Sequence, residues 1–316
     1  MVTILLVSCN SNKHSYKITI NDKSFTKIDT FLCKKHIGIS LYNIENIYSV
    51  DNKLIVFTDS KNKFIKVFNK DFHKLDEFGD KGKANNEFIY PRISDVNKKS
   101  ISIYDCGKSS IVETDFNGNI LKSIKVIGNF QQCKKYDDYT YLGEEKIRNS
   151  IQLKLTNRDE PFYRFDSFES KYTNSDLYWG FLGISPTHKT IIYASQYIRS
   201  ILLLNYDGSV KHLLNIEPNN HPILDNDNRI SLESCVYYFG VQILKNSFVV
   251  YDVNKTNKSL MNNQKQNTSF EEYDYDGKPI RKIVIDRFIK VFCIDNNTIY
   301  GYDLNDENSL VVFEKK

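Results

Sequence analysis

Membrane-length apolar runs, paired histidines and metal-type cysteine spacings are all missing from this chain, and each absence excludes a class of protein. After residue 9 no stretch approaches the roughly eighteen consecutive apolar residues of a membrane-spanning helix. The six histidines, His14, His36, His73, His188, His212 and His221, stand far apart with no HxH or HExxH spacing, which removes the metalloprotease pattern. No cysteine sits in a CxxC pair, so neither a zinc ribbon nor a thioredoxin-like redox motif is expected. Ser109-Ser110, Ser195 and Ser247 lack the GxSxG setting of an α/β-hydrolase nucleophile. With 13 Gly and 6 Pro in 316 residues, collagen-like and low-complexity readings fail. The formal charge of +4 comes from lysines scattered among acidic residues, as at Lys34-Lys35, Lys98-Lys99 and Lys134-Lys135. A nucleic-acid footprint clusters on one element, so no nucleic-acid partner is expected.

What the chain has is apolar and aromatic material, 41% and 13% of its residues, arranged in a repeated cadence. Residues 53–82 carry three short runs, 54–58, 64–69 and 74–78, each rich in β-branched or aromatic residues and each cut off by Asp, Asn, Lys or Gly. The same order recurs at 100–126, 190–216 and 247–285, and a shortened copy closes the chain. Asn117-Gly118, Asp207-Gly208 and Asp276-Gly277 mark tight hairpins. Helical periodicity is absent from every long window. Six units of about 45 residues match the size of four-stranded propeller blades. The third, over roughly 130–170, is the most degraded, with strands expected at 139–143, 151–155 and 162–168. The sixth has three strands, so the strand at 16–20 is expected to complete it and close the ring, which removes exposed sheet edges. Residues 21–38 read as a less regular connection. Polar insertions at 217–228 and 254–268 break the repeat. The expected fold is an all-β, six-bladed propeller over 16–316.

The first nine residues, MVTILLVSC, form a short apolar run without a basic region before it. Leu6-Val7-Ser8-Cys9 resembles a lipobox, and Asn10-Ser11-Asn12-Lys13-His14-Ser15 resembles the polar tether of an anchored domain. Residues 1–15 are thus expected to be a signal remnant and tether, with Cys9 lipidated and the natural start lying upstream. Five further cysteines, an odd number, leave at least one free thiol.

A polar position recurs after the second strand of the units: Asp59, Asp105, Ser195, Asp252 and Asp303. Its expected use is turn formation, with hydrogen bonds to nearby backbone donors. Arg92, Trp179, Tyr237, Tyr238 and Arg287 stand before or at inner strands, where Arg and aromatic side chains at a channel mouth suit an anionic, planar or sugar-like ligand.

The connector Phe78-Gly79-Asp80-Lys81-Gly82, followed by Asn86-Glu87-Phe88 and Tyr90-Pro91, resembles the NHL repeat, departing from it at Ala84-Asn85. Gly79 and Gly82 are expected to take φ > 0 there. With the lipobox, the chain is similar to the TolB-like six-bladed propeller lipoproteins of Gram-negative bacteria. That resemblance implies a monomer lipid-anchored to the outer membrane, facing the periplasm or the cell surface. The expected function is that of a binding or scaffold protein, contacting a protein, peptide or glycan with one propeller face and with no cofactor expected. The alternative is a propeller enzyme, a lactonase-like hydrolase or lyase, with Ca2+ at the channel mouth held by carboxylates such as Glu45, Asp95, Asp252 and Asp303.

Overall fold

A computed structural model describes residues 17–38, 41, 43–58, 63–147, 150–165, 175–262, 267–303 and 309–316. Two strands come first, β1 (Lys17–Ile20) and β2 (Ile28–Gly38). An antiparallel meander follows, β3 (Ile44–Val50), β4 (Lys53–Thr58), β5 (Ile65–Asn69) and β6 (Lys74–Phe78), and then a two-stranded ribbon, β7 (Asp80–Lys81) and β8 (Glu87–Phe88). The next meanders are β9 (Pro91–Val96), β10 (Ile101–Asp105), β11 (Ser110–Thr114) and β12 (Ile120–Lys125), then β13 (Phe130–Lys135), β14 (Tyr141–Ile147), β15 (Ser150–Leu155) and β16 (Pro161–Arg164). After them run β17 (Gly180–Ser185), β18 (Thr190–Ser195), β19 (Ser200–Asn205) and β20 (Val210–Ile216). The chain finishes with β21 (Cys235–Ile243), β22 (Phe248–Thr256), a short helix α1 (Asn257–Met261), β23 (Thr268–Tyr273) and β24 (Pro279–Ile285), and last β25 (Ile289–Asp295), β26 (Thr298–Asp303) and β27 (Ser309–Lys315).

Within each meander the first strand is innermost. These inner strands pack in a closed cycle, β3 on β9, β9 on β13, β13 on β17, β17 on β21, β21 on β25 and β25 back on β3. The result is an all-β propeller. The core is correspondingly a ring of apolar clusters, each shared by neighbouring meanders. Ile192, Ile201 and Leu203 meet Tyr237, Phe248 and Val250 in one, and Ile55, Phe57 and Ile65 meet Ile93, Ile101 and Ile103 in another. Burying one such side chain contributes about 1.5–3 kcal/mol, so these clusters carry most of the stabilisation.

The expectation of six separate four-stranded blades, the last closed by the N-terminal strand, does not hold. Among the described residues four sheets have blade size: three of four strands and one of five. The remaining large sheet is continuous and eight-stranded, in the order β21-β22-β23-β24-β2-β27-β26-β25. Two departures produce this. β1 does not complete the last unit; it adds in parallel to β20, with Ile20 opposite Ile216. The last unit is completed instead by β2, antiparallel to β27, and β2 also pairs in parallel with β24 through Ile28–Phe31. The supposedly irregular stretch 21–38 therefore contains the eleven-residue strand that fuses two sheets. Its alternation is interrupted by Lys34-Lys35-His36 at a register shift between Cys33 and Lys35, which hid it from a reading based on period two. The third unit also gains an inner strand, β13, that its polar sequence FQQCKK did not announce.

Turn chemistry follows the expected pattern more closely. Gly118, Gly208 and Gly277 hold φ of 84°, 85° and 80° in the three hairpins. Gly79 has φ 87°, as the connector requires, but Gly82 is not in the left-handed region. A Cβ at Gly82 would lie 1.9 Å from Glu87 Oε2 and would displace that carboxylate from its hydrogen bond with Ala84 N. Asp105, buried, accepts from Ile89 N, Tyr90 N and Gly107 N at 2.9–3.0 Å, the structural role expected of its position.

Side chains stitch neighbouring inner strands to one another. Gln132 on β13 donates to Gly180 O at 2.8 Å and accepts from Leu182 N at 3.1 Å on β17. Gln242 on β21 repeats the device with Ile294 O and Ile294 N, both at 2.7 Å, on β25. Gln132 also donates to Glu144, a buried carboxyl whose Oε1 lies 2.8 Å from Tyr193 Oη. The same phenol lies 2.7 Å from Tyr178 O. One hydroxyl proton cannot serve both acceptors, so a protonated Glu144 that donates to Tyr193 satisfies the whole set. Burial pushes the Glu144 pKa up to about 7, in accord with that geometry.

A carboxyl raised in the folded state stabilises fully below its unfolded pKa near 4.5, and that stability is lost as pH rises through about 7, at about 1.4 kcal/mol per pH unit. Glu144→Gln keeps the neutral hydrogen bonds, with its amide donating to Tyr193. Urea unfolding at pH 5 and pH 8 is expected to show a smaller loss of stability with pH in E144Q than in the wild type; equal losses would refute the protonated assignment.

Candidate functional site

The two ends of the propeller differ. At one end, called here the mouth end, the inner strands begin and the second strands finish; at the other lie the hairpins between first and second and between third and fourth strands. Both polar insertions emerge at the mouth end, between β20 and β21 and between β22 and β23. They fold together. Asn257 N donates to Ser234 O at 3.0 Å, Lys258 N to Leu232 O at 2.9 Å, and Lys258 Nζ pairs with Glu233 at 2.9 Å. Thr256 Oγ1 caps α1 by accepting from Ser259 N. Ser234 Oγ holds Ile223 through its N and O. The result is one cap, and it leaves Ile223, Leu232 and Met261 50%, 50% and 71% exposed.

Beneath the cap lies the most unusual side chain of the molecule, an arginine that is 1% exposed. Arg199 precedes β19 and reaches into the neighbouring sheet. Its Nη2 is 3.5 Å from Asp252 Oδ1 on β22 and 3.5 Å from Glu271 Oε1 on β23. Lys282 on β24 completes the group, 3.5 Å from Asp252, 4.0 Å from Glu271 and 3.3 Å from Asp22. Tyr273 donates to Glu271 Oε2 at 2.6 Å, and Ser269 Oγ donates to Asp252. Arg199 also fixes the start of the cap, because its Nη1 donates to Pro218 O at 3.3 Å and its backbone N to Asn219 Oδ1. Tyr237 completes that attachment through Asn220 N and O, at 2.9 and 3.0 Å, while its ring lies 5.9 Å from the guanidinium. Burial and the adjacent Asp252 push the Glu271 pKa up to about 7. Arg199 Nε, Tyr238 Oη and Glu271 Oε1 have no hydrogen-bond partner among the described residues; the Glu271–Arg199 contact is an ion pair without hydrogen-bond geometry.

The residues singled out in the sequence are not drawn to one point. Arg92 is exposed and donates to Glu45 Oε2 at 2.7 Å, bridging β9 to β3. Arg287 pairs with Asp303 at 3.1 Å. Trp179 is half-buried against the cluster around Tyr178 and Tyr193. Tyr237 and Tyr238 are fully buried below the cap and do not stand on a rim. Glu45, Asp95, Asp252 and Asp303 each go to different partners, with Asp95 beside Asn97. Among the described residues no group of three or more His, Cys, Asp or Glu is placed to hold a metal ion. Cys9 and Asp59 lie outside the described residues. Arg199, Glu271 and Lys282 were not picked out in the sequence. The one available signal was Arg199 itself, a charge set directly against the apolar run Ile201–Leu204.

No family model matches the chain, and no curated protein matches it. Solved structures do. A member of the DUF4221 family from Bacteroides vulgatus superposes with a TM-score of 0.63 over 90% of this chain and 97% of its own, at 12% identity. A putative exported protein from Bacteroides fragilis gives 0.59 over 95% and 100%, at 15% identity. At such identities the likeness is one of fold.

Removing one partner from a buried charge network leaves the others uncompensated, at a cost of about 3–5 kcal/mol. Arg199→Met is expected to lower urea stability by that amount, and Asp252→Asn with Glu271→Gln in the same chain to recover most of it. A loss within about 0.5 kcal/mol for Arg199→Met, typical of a surface change, would show that the network does not hold the cap.

Proposed function

We propose that the protein is a lipid-anchored binding propeller of the bacterial cell envelope, which docks a macromolecular partner on its mouth-end cap. The cap carries this reading: two insertions that interrupt the repeat pack on each other, are fixed from below by Arg199 and Tyr237, and present Ile223, Leu232 and Met261 to solvent. Apolar side chains held out on a braced surface favour association with a protein, peptide or glycan. A preorganised cap loses little entropy on binding, which a loose loop would lose. The lipobox-like Leu6-Val7-Ser8-Cys9 supports anchoring through the Cys9 thiol, and the resemblance to TolB-like propeller lipoproteins supports an outer-membrane location. The fold shared with a putative exported protein agrees with an envelope setting.

Two experiments test the two halves of this reading. A photo-reactive residue placed at Leu232 is expected to crosslink a discrete partner in cells, and one at Leu75 on β6, equally exposed, is not; adding I223S and M261S beside the Leu232 probe removes the product without lowering thermal stability. Identical crosslinking from both positions would refute the cap as the docking surface. Cys9→Ala is expected to move the protein from the membrane to the soluble fraction. Unchanged fractionation would remove the anchor.

A further inference from the structure

The hairpin end holds a feature that the cap reading does not use. A cavity of about 430 Å³ opens between the β13–β16 sheet and the β19–β20 hairpin, on the side of the propeller away from the insertions. That volume lies within the roughly 300–1,000 Å³ of small-molecule sites. Its apolar lining includes three aromatic rings beside Leu155 and Pro161. Tyr136 stacks on Tyr206 with centroids 4.5 Å apart, and Phe162 meets Tyr136 at 5.9 Å and 70°. The stack is locked, because Tyr136 Oη donates to Tyr206 O at 2.6 Å. A Cβ at Gly208 would lie 2.8 Å from Phe162 O, so the hairpin sits close against this wall.

The polar lining comes from Asp137, Asn157, Arg158, Glu160 and Asp207. Two of the carboxylates are fixed in place. Asp137 Oδ1 accepts from Tyr139 N and Thr140 N at 2.8 and 2.7 Å, and Asp207 Oδ1 accepts from Ser209 N and Oγ at 2.9 and 2.6 Å. Asn157 Nδ2 is held by Thr140 Oγ1 at 3.2 Å. Tyr206 Oη is buried and has no hydrogen-bond partner among the described residues. Burial holds this phenol well above its ordinary pKa, so it remains a neutral donor.

The lining selects by chemistry. Three carboxylates against one guanidinium disfavour an anion. Arg158 beside them, and backbone donors already spent on Asp137, disfavour a small cation as the natural counterpart. What remains is a neutral molecule with several hydroxyl donors for the carboxylates, acceptors for Arg158, Asn157 and Tyr206, and an apolar face for the rings. We propose that this cavity binds a neutral mono- or disaccharide, at a site separate from the mouth-end cap and independent of what docks there.

Titration calorimetry and saturation-transfer NMR on the full-length protein, with maltose, cellobiose and N,N′-diacetylchitobiose, test the assignment. At least one of the three is expected to bind. Tyr206→Phe, which removes only the hydroxyl, is expected to weaken that binding about fivefold, the factor for one neutral hydrogen bond. Arg158→Ala, an exposed change, is expected to weaken it at least as much without altering thermal stability, and so decides the matter if the tyrosine variant folds poorly. The cap variant Ile223→Ser is expected to bind the sugar as the wild type does. Failure of all three saccharides to bind would overturn the proposal. So would binding unaffected by the two cavity variants, or binding of putrescine or citrate in their place.

Discussion

Propeller sheets meet face to face, and a β-sheet keeps its backbone donors and acceptors for its own neighbours within the plane. Faces therefore have no hydrogen bonds of their own with which to fix the angle or slide of one sheet against the next. In this protein buried polar side chains supply them. Gln132 and Gln242 each bracket a backbone N–H and C=O of the next inner strand. Tyr104 accepts from Phe130 N at 3.1 Å, Tyr251 donates to Ile289 O, and Tyr141 donates to Ser102 Oγ. Ser49 and Lys70 both reach Asp295, joining the last sheet to the first meander. Apolar burial outweighs these bonds in energy, since each contributes about 1 kcal/mol against 1.5–3 for a core side chain. Their importance is geometric: a phenol or amide finds its backbone partner in one register only.

The same device becomes costlier and more specific where the repeat is broken. Between β20 and β24 the bridging group is an ion network, not a neutral amide, and it clamps the cap through Pro218, Asn219 and Asn220. A buried ion pair is weak evidence of stabilisation, because desolvation offsets most of its attraction. Its retention at this place is better explained by what it positions. Arg199 spans the sheet of β19 and the sheet of β22–β24 and binds the inserted segment at the same time. The positive charge that fixes the cap is thereby kept out of water and out of reach of ligands.

The two ends have accordingly diverged. The mouth end carries long insertions, a braced cap and exposed apolar side chains. The hairpin end keeps tight turns and concavity, with aromatic residues at the ends of strands and carboxylates in the turns. Asp137 and Asp207 illustrate how a turn-forming residue acquires a second use: each organises its own hairpin through Oδ1, and the hairpins happen to face one another across a cavity.

The sequence by itself determined the all-β class, most strands, the hairpins at Gly118, Gly208 and Gly277, and the turn role of Asp105, because these depend on local periodicity and local φ. It also showed where the repeat breaks. Only the tertiary structure decided how the sheets close. β1 and β2 pair with strands more than 190 and 250 residues away, and a strand's partner is set by which edge remains open, which no local pattern records. The burial of Arg199, the concealment of Tyr237 and Tyr238, and the neutral carboxyl at Glu144 were likewise invisible. Each depends on the dielectric and the partners that a neighbouring sheet provides once it has packed.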